Sequence, residues 1–204
     1  MISYLSEQQL WNQIREGNNE AVERLFDLYA DSLFAYGVKF TSDKEFVKDA
    51  VQNLFLRLMI SHEHLSEVSN VKSYMIKSLR RELLKNSKQG YAISFDNDNI
   101  LKNKVESYAS ENLSVDDMDD EAIRIRRILS EELLKLPPRQ KEALYLRYVQ
   151  QIPLAEIAHI LDMNYQSVRN LIYRAFTKLR KNIDQDKFTK SYVIILLTQV
   201  LSDM

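Results

Sequence analysis

Gln166, Arg169, Asn170, Tyr173, Arg174, Thr177, Lys178 and Lys181 recur at spacings that place them on one side of a helix, with no carboxylate among them. Amides and guanidinium forks suit the edges of bases, and the cations toward the far end suit phosphates. The stretch 154–183, LAEIAHILDMNYQSVRNLIYRAFTKLRKNI, supplies the elements that must present them. Leu154, Ile157, Ala158 and Leu161 predict a short amphipathic helix, and Pro153 suits its start. Asp162 and Met163 break the pattern, and Asn164 is placed to cap a second helix whose buried stripe is Val168, Leu171, Ile172, Ala175, Phe176, Leu179 and Ile183. Two helices with so short a break read as a helix-turn-helix.

Charge is unevenly spread along the chain. Over residues 122–183 twelve cations face five carboxylates, a net of +7, although the 204-residue chain carries only −1. A local basic module in a nearly neutral protein is an electrostatic footprint for a polyanion. A second one lies at 71–90, where Lys72, Lys77, Arg80, Arg81, Lys85 and Lys88 oppose Glu82 alone. A solvated basic face is the plain alternative for either stretch.

Several chemistries are excluded by composition. There is no cysteine, so disulfides, thiol catalysis and cysteine-held zinc are ruled out. Only Gly17, Gly37 and Gly90 are glycines, too few for a phosphate-cradling loop, so no cofactor is expected. His62 and His64 form a His-x-His pair with no third ligand cluster nearby; with His159 they read as surface residues, and no metal site is expected. No nucleophile–base pair stands out, so the chain is not read as an enzyme.

Helical periodicity throughout, with few glycines and prolines, predicts an all-α protein of two helical domains joined by a flexible acidic linker. Residues 1–90 form the first domain. Helices are expected around Leu10, Trp11 and Ile14, then from Ala21 to Phe40, with Phe26, Leu28 and Phe34 continuing the apolar spacing. Another follows a cap at Ser42 or Asp43, with Phe46, Val47, Ala50, Val51, Leu54, Phe55, Leu58 and Met59 inward and Lys48, Asp49, Gln52, Asn53 and Arg57 outward. A fourth covers VKSYMIKSLRRELLKNSKQ, with Val71, Tyr74, Met75, Leu79 and Leu83 inward. Residues 91–121 read as the linker; Glu111, Asp116, Asp117, Asp119, Asp120 and Glu121 give its second part an unrelieved negative charge. Helicity resumes near Ala122, and Pro137 and Pro138 end one helix and start the next within a domain spanning 122–184. The tail, 185–204, has an apolar run from Tyr192 to Leu201, too short to span a bilayer. It reads as a packed helix, with a docking strip for a partner helix as the alternative. The opening MISYLSEQQLWNQIREGNN has neither a basic leader nor an unbroken apolar core, so the chain reads as cytoplasmic.

Taken in order, these segments resemble the bacterial sigma factors, in particular the extracytoplasmic-function (ECF) subfamily. QIREGNNEAVERLFDLYADSLFAY is similar to the start of their promoter-melting domain, KEFVKDAVQNLFLRLM to the segment that binds the polymerase clamp, and VKSYMIKSLRRELLKN to the helix that reads the −10 element. LLKLPPRQKEALYLRYVQQIPLAEIAHILDMNYQSVRNLIYRAFTKLRK resembles their C-terminal helix-turn-helix. The resemblance implies core RNA polymerase and promoter DNA as partners, and it admits an anti-sigma factor. It assigns Asp49, Gln52 and Asn53 to polymerase, with Phe55 in the core. It gives Lys72, Ser73, Lys77, Arg80 and Arg81 to the −10 region, and Gln166, Ser167, Arg169, Asn170, Tyr173, Arg174 and Lys178 to the −35 element. Asn53 stands where an acidic residue is common, Arg81 where asparagine is frequent, and Asp162 where glycine is frequent; aspartate tolerates a left-handed turn. A polymerase-independent helix-turn-helix regulator and a helical interaction adaptor are the competing readings.

Overall fold

Asn18, Asp43, Asn70 and Asn164 each end a polar break in the sequence, and each caps a helix in the computed structural model of the protein. Their side-chain oxygens accept the N–H groups of Ala21, Phe46, Ser73 and Ser167. A helix start leaves such donors without partners inside the helix, so short polar side chains at these positions fix where each begins. The structure describes residues 5–87, Phe95, 117–181 and 190–202; these form helices, with no strand among them. The chain divides into two compact units.

The first unit holds α1 (Glu7–Arg15), α2 (Asn19–Gly37), α3 (Lys44–Ile60) and α4 (Val71–Ser87). Ser6 and Gln9 form a reciprocal capping box at the start of α1. Gly17, at φ 86, turns the chain into α2, and this is one position where a side chain would be strained. Helices α2, α3 and α4 pack on one another around Leu25, Leu33, Val47, Leu54, Met75 and Leu79, all buried. Trp11 is fully buried; its indole N–H donates to the Ser66 carbonyl at 3.0 Å, and its ring meets Tyr74 edge-on at 4.7 Å. Arg15 donates to the Leu65 carbonyl, and an imidazole nitrogen of His62 lies 3.4 Å from the Arg15 carbonyl oxygen, so the 61–67 segment is tied to the end of α1. His62 is therefore half-buried rather than a plain surface residue, whereas His64 and His159 are exposed.

The second unit is built from α5 (Asp117–Leu134), α6 (Pro138–Leu144) continued by a π turn (Tyr145–Val149), α7 (Leu154–Leu161), α8 (Tyr165–Arg180) and α9 (Lys190–Ser202). Pro138 takes the first position of α6, where a missing N–H costs nothing. Two expectations are corrected here. Helix α5 starts at Asp117, five residues before Ala122, so Asp117, Asp119, Asp120 and Glu121 occupy a helix N-terminus and not a linker; negative charge is favoured there by the helix dipole. Phe95, expected in the linker, is buried, with its ring 5.6 Å from that of Tyr145. The rest of the expected linker, 91–94 and 96–116, lies outside the described residues.

The tail forms α9, which packs on α5 and on the π turn with Leu196, Leu197, Val200 and Leu201 buried. Arg126 on α5 ties it further by donating to Gln199 at 2.9 Å. The packed-helix expectation for the apolar run describes this arrangement. No helix among the described residues is long and apolar enough to cross a membrane.

Candidate nucleic-acid interface

At the centre of the second unit, α7 ends on Asp162, whose backbone is left-handed at φ 52 and ψ 50, and Met163 donates back to the Ala158 carbonyl. Aspartate can adopt this conformation because its short polar side chain bonds locally. Asn164 then caps α8 by accepting the Ser167 N–H at 2.7 Å. Val168, Ile172, Ala175, Phe176 and Leu179 are buried, and Leu171 is half-buried; Ile183 lies outside the described residues. The stripe fixes the rotation of α8, leaving Gln166, Arg169, Asn170, Tyr173, Arg174 and Lys178 exposed along the opposite side. Tyr173 is 71% exposed, far more than an apolar ring needs, and Gln166 lies 3.4 Å from Asn170 one turn on. Ser167 is half-buried at the shoulder of this face.

Beside the exposed face of α8 lies an open cavity of about 440 Å³. Gln166, Arg169, Asn170 and Tyr173 line one side, and Arg147 and Tyr148 of the π turn line the other. Burial raises the Tyr148 phenol above its ordinary value, with the Arg147 charge acting against it. The phenol is thus a neutral donor beside two guanidiniums.

Helix α4 carries the second basic cluster. Arg81 and Lys85 are exposed, while Lys72, Lys77 and Arg80 are half-buried. Burial lowers the Lys72 ammonium, and the nearby Glu7 carboxylate partly offsets this. Ser73 departs from expectation: it is 3% exposed and faces the helix bundle, because it shares the inward side with Met75, Ile76 and Leu79. It is not offered to a ligand on this surface. Lys88 lies outside the described residues.

On α3, Asp49, Gln52 and Asn53 are exposed on one flank and Phe55 is buried. The structure adds neighbours that the sequence reading had turned inward or passed over. Leu56 is 51% exposed, Ile60 80% and Met59 37%; Phe26 and Leu28 of α2 also face outward. Phe26 meets Phe55 edge-on at 5.0 Å, and a groove of about 260 Å³ runs along Phe26, Phe34, Val51 and Gln52. A signal was present in LFLRLMI, residues 54–60, where six of seven residues are apolar, more than one helix face can bury. A contiguous exposed apolar strip rimmed by polar groups marks a protein-binding surface.

Comparison with known proteins agrees with this geometry. The family described as "Sigma-70, region 4" matches residues 126–179. The chain is 23% identical over 163 residues to "ECF RNA polymerase sigma factor SigM" of Bacillus subtilis (strain 168), covering 78% of this chain and 93% of that protein. It is 24% identical over 187 residues to "ECF RNA polymerase sigma-E factor" of Haemophilus influenzae, covering 90% and 98%. Among solved structures, the sigma factor RpoE in complex with the anti-sigma factor NepR from Bartonella quintana superposes with a TM-score of 0.52 at 16% identity, over 80% of this chain and 98% of that one. That likeness is one of fold.

Proposed function

We infer that this chain belongs to the extracytoplasmic-function sigma factors, binding core RNA polymerase and directing it to promoters. One observation carries the reading furthest: the helix-turn-helix within the matched region holds an uninterrupted exposed row of amides and guanidiniums on α8, with its apolar stripe turned fully inward.

The proposed division of labour follows the two units. Residues 1–90 engage polymerase and the −10 region, 91–121 connect, 122–184 read the −35 element, and the 185–204 tail completes the second unit. On α8, Gln166, Arg169, Asn170 and Tyr173 reach base edges, Ser167, Arg174 and Lys178 serve the backbone, and the helix enters the major groove. On α4, Lys77, Arg80 and Arg81, with Lys72 behind them, hold the −10 region by phosphate contacts. On α3, Asp49, Gln52 and Asn53 contact polymerase, and the exposed Leu56, Met59 and Ile60 give that contact an apolar component suited to an amphipathic helix. Each DNA contact can be weak, since tethering through polymerase raises the effective concentration of the second. The protein makes and breaks no bonds itself; it positions the polymerase that does. Its work lies with polymerase and chromosome in the cytoplasm, and an anti-sigma factor is a partner compatible with its exposed apolar strip.

Run-off transcription with core polymerase on fragments of the source chromosome tests the reading, which requires promoter-specific transcripts. Duplex binding without transcription would instead mark a polymerase-independent regulator. Arg169→Ala is expected to lower −35-dependent transcription by about 5- to 100-fold, corresponding to roughly 1–3 kcal/mol for a lost base contact, with core binding in a pull-down unchanged. Loss of core binding would sink the assignment of Arg169 to DNA.

A further inference from the structure

We propose that Arg147, which lies outside the recognition helix, is a further phosphate contact that grips one strand of the −35 duplex across the cavity from Arg169. The inference rests on the sigma reading and adds a residue to its DNA site. Helix α6 does not stop at Leu144 but widens into the π turn, and the turn is locked from within. Gln150 is buried and donates from its side-chain amide to the Tyr145 hydroxyl at 3.2 Å, and its backbone N–H donates to the Tyr145 carbonyl at 3.0 Å. Gln151 takes φ 58, and the Ile152 N–H returns to the Leu146 carbonyl at 2.9 Å.

This locked loop holds an exposed cation in place. Arg147 donates from Nη1 to the Ile152 carbonyl at 3.2 Å, and a guanidinium has five N–H donors in a rigid fork. One nitrogen orients the group, and the fork can then present other donors to an anion. Across the 440 Å³ opening stands Arg169, no lining residue is acidic, and Leu154, Tyr148 and Tyr173 supply an apolar wall. Two guanidiniums facing each other over an apolar wall match a phosphodiester with the C–H face of its sugar. When α8 sits in a major groove about 12 Å wide, an element flanking it at this distance meets the strand and not the bases. A contact of that kind positions the protein and carries no sequence information.

The test uses polymerase holoenzyme and a promoter fragment recovered in the transcription assay, with binding measured from 50 to 200 mM KCl. Removing one phosphate contact should make the slope of log affinity against log salt less negative by about 0.9. We expect that shift for Arg147→Gln, which keeps a donor for the Ile152 carbonyl but removes the charge, and no shift for Arg147→Lys. The preference for the intact −35 sequence over a mutated one should be unchanged in both, whereas Arg169→Ala should weaken it. An Arg147→Gln slope equal to that of the wild type, or a changed sequence preference, overturns the inference. If the wild-type chain yields no promoter-specific transcript, the sigma reading itself fails, a result distinct from either.

Discussion

Gln151 and Asp162 are the two described non-glycine residues with positive φ, and they bracket α7 at either end. Their side chains are not equally suited to it. Aspartate stabilises a left-handed turn locally, while glutamine gains nothing comparable and bears a steric cost of about 1–2 kcal/mol. Gln151→Gly should therefore raise the stability of the second unit by up to about 1 kcal/mol after the extra chain entropy of glycine is set against the relief. Chemical denaturation would measure it, and a fall in stability would mean that Gln151 makes compensating contacts. The same pair shows what sequence can and cannot reveal at this scale. Asp162 was legible because its left-handed conformation depends on its own side chain. Gln151 was not, because its strain is imposed by the π turn, which depends on the buried pairing of Gln150 with Tyr145. Ser73 was misplaced for a related reason: a serine in a basic stretch looks exposed until the inward register of Met75, Ile76 and Leu79 is known.

Helix α9 has a nearly all-apolar sequence, and the structure resolves that into one buried row and one row that includes Ile195, 57% exposed. Leu197 is fully buried at the centre of the packed row. Leu197→Ala should cost about 2–5 kcal/mol, the range for leucine truncation in a core, and should lower the thermal midpoint of the second unit. A negligible cost would mean that α9 is not held against α5 and the π turn in solution. Helix starts were readable from the sequence because capping is local, as Asn18, Asp43 and Asn164 show. Helix faces were less so. Leu28, Leu56 and Met59 carry hydrophobic side chains outward on helices whose partners already fill one side, and only the packing of α2 against α3 decides which apolar residues are left over. The basic face of α8 was readable because its apolar stripe is unambiguous. That of α4 was readable only in outline, since three of its cations are half-buried.

At the scale of the whole molecule, Tyr29 in the first unit and Tyr145 and Tyr148 in the second share one perturbation. Burial, aided at Tyr29 by Glu7, raises all three phenols above their ordinary value of 10.0. In the folded chain they hold protons that the unfolded chain gives up above pH 10, so their contribution is fully present below that pH and is lost as pH rises toward the folded values. Both units should therefore weaken on going from pH 8 to above 10, seen as a lower urea midpoint; an unchanged midpoint would argue that these phenols are solvated. The two units can be followed separately in such an experiment because of how Trp11 is seated. It is the sole tryptophan of the chain, it has no solvent exposure, and it abuts Tyr74 of α4. Its fluorescence is thus a built-in lamp for the first unit alone. Emission should shift to the red when that unit opens, respond when a nucleic acid displaces α4, and stay silent to unfolding of the helix-turn-helix.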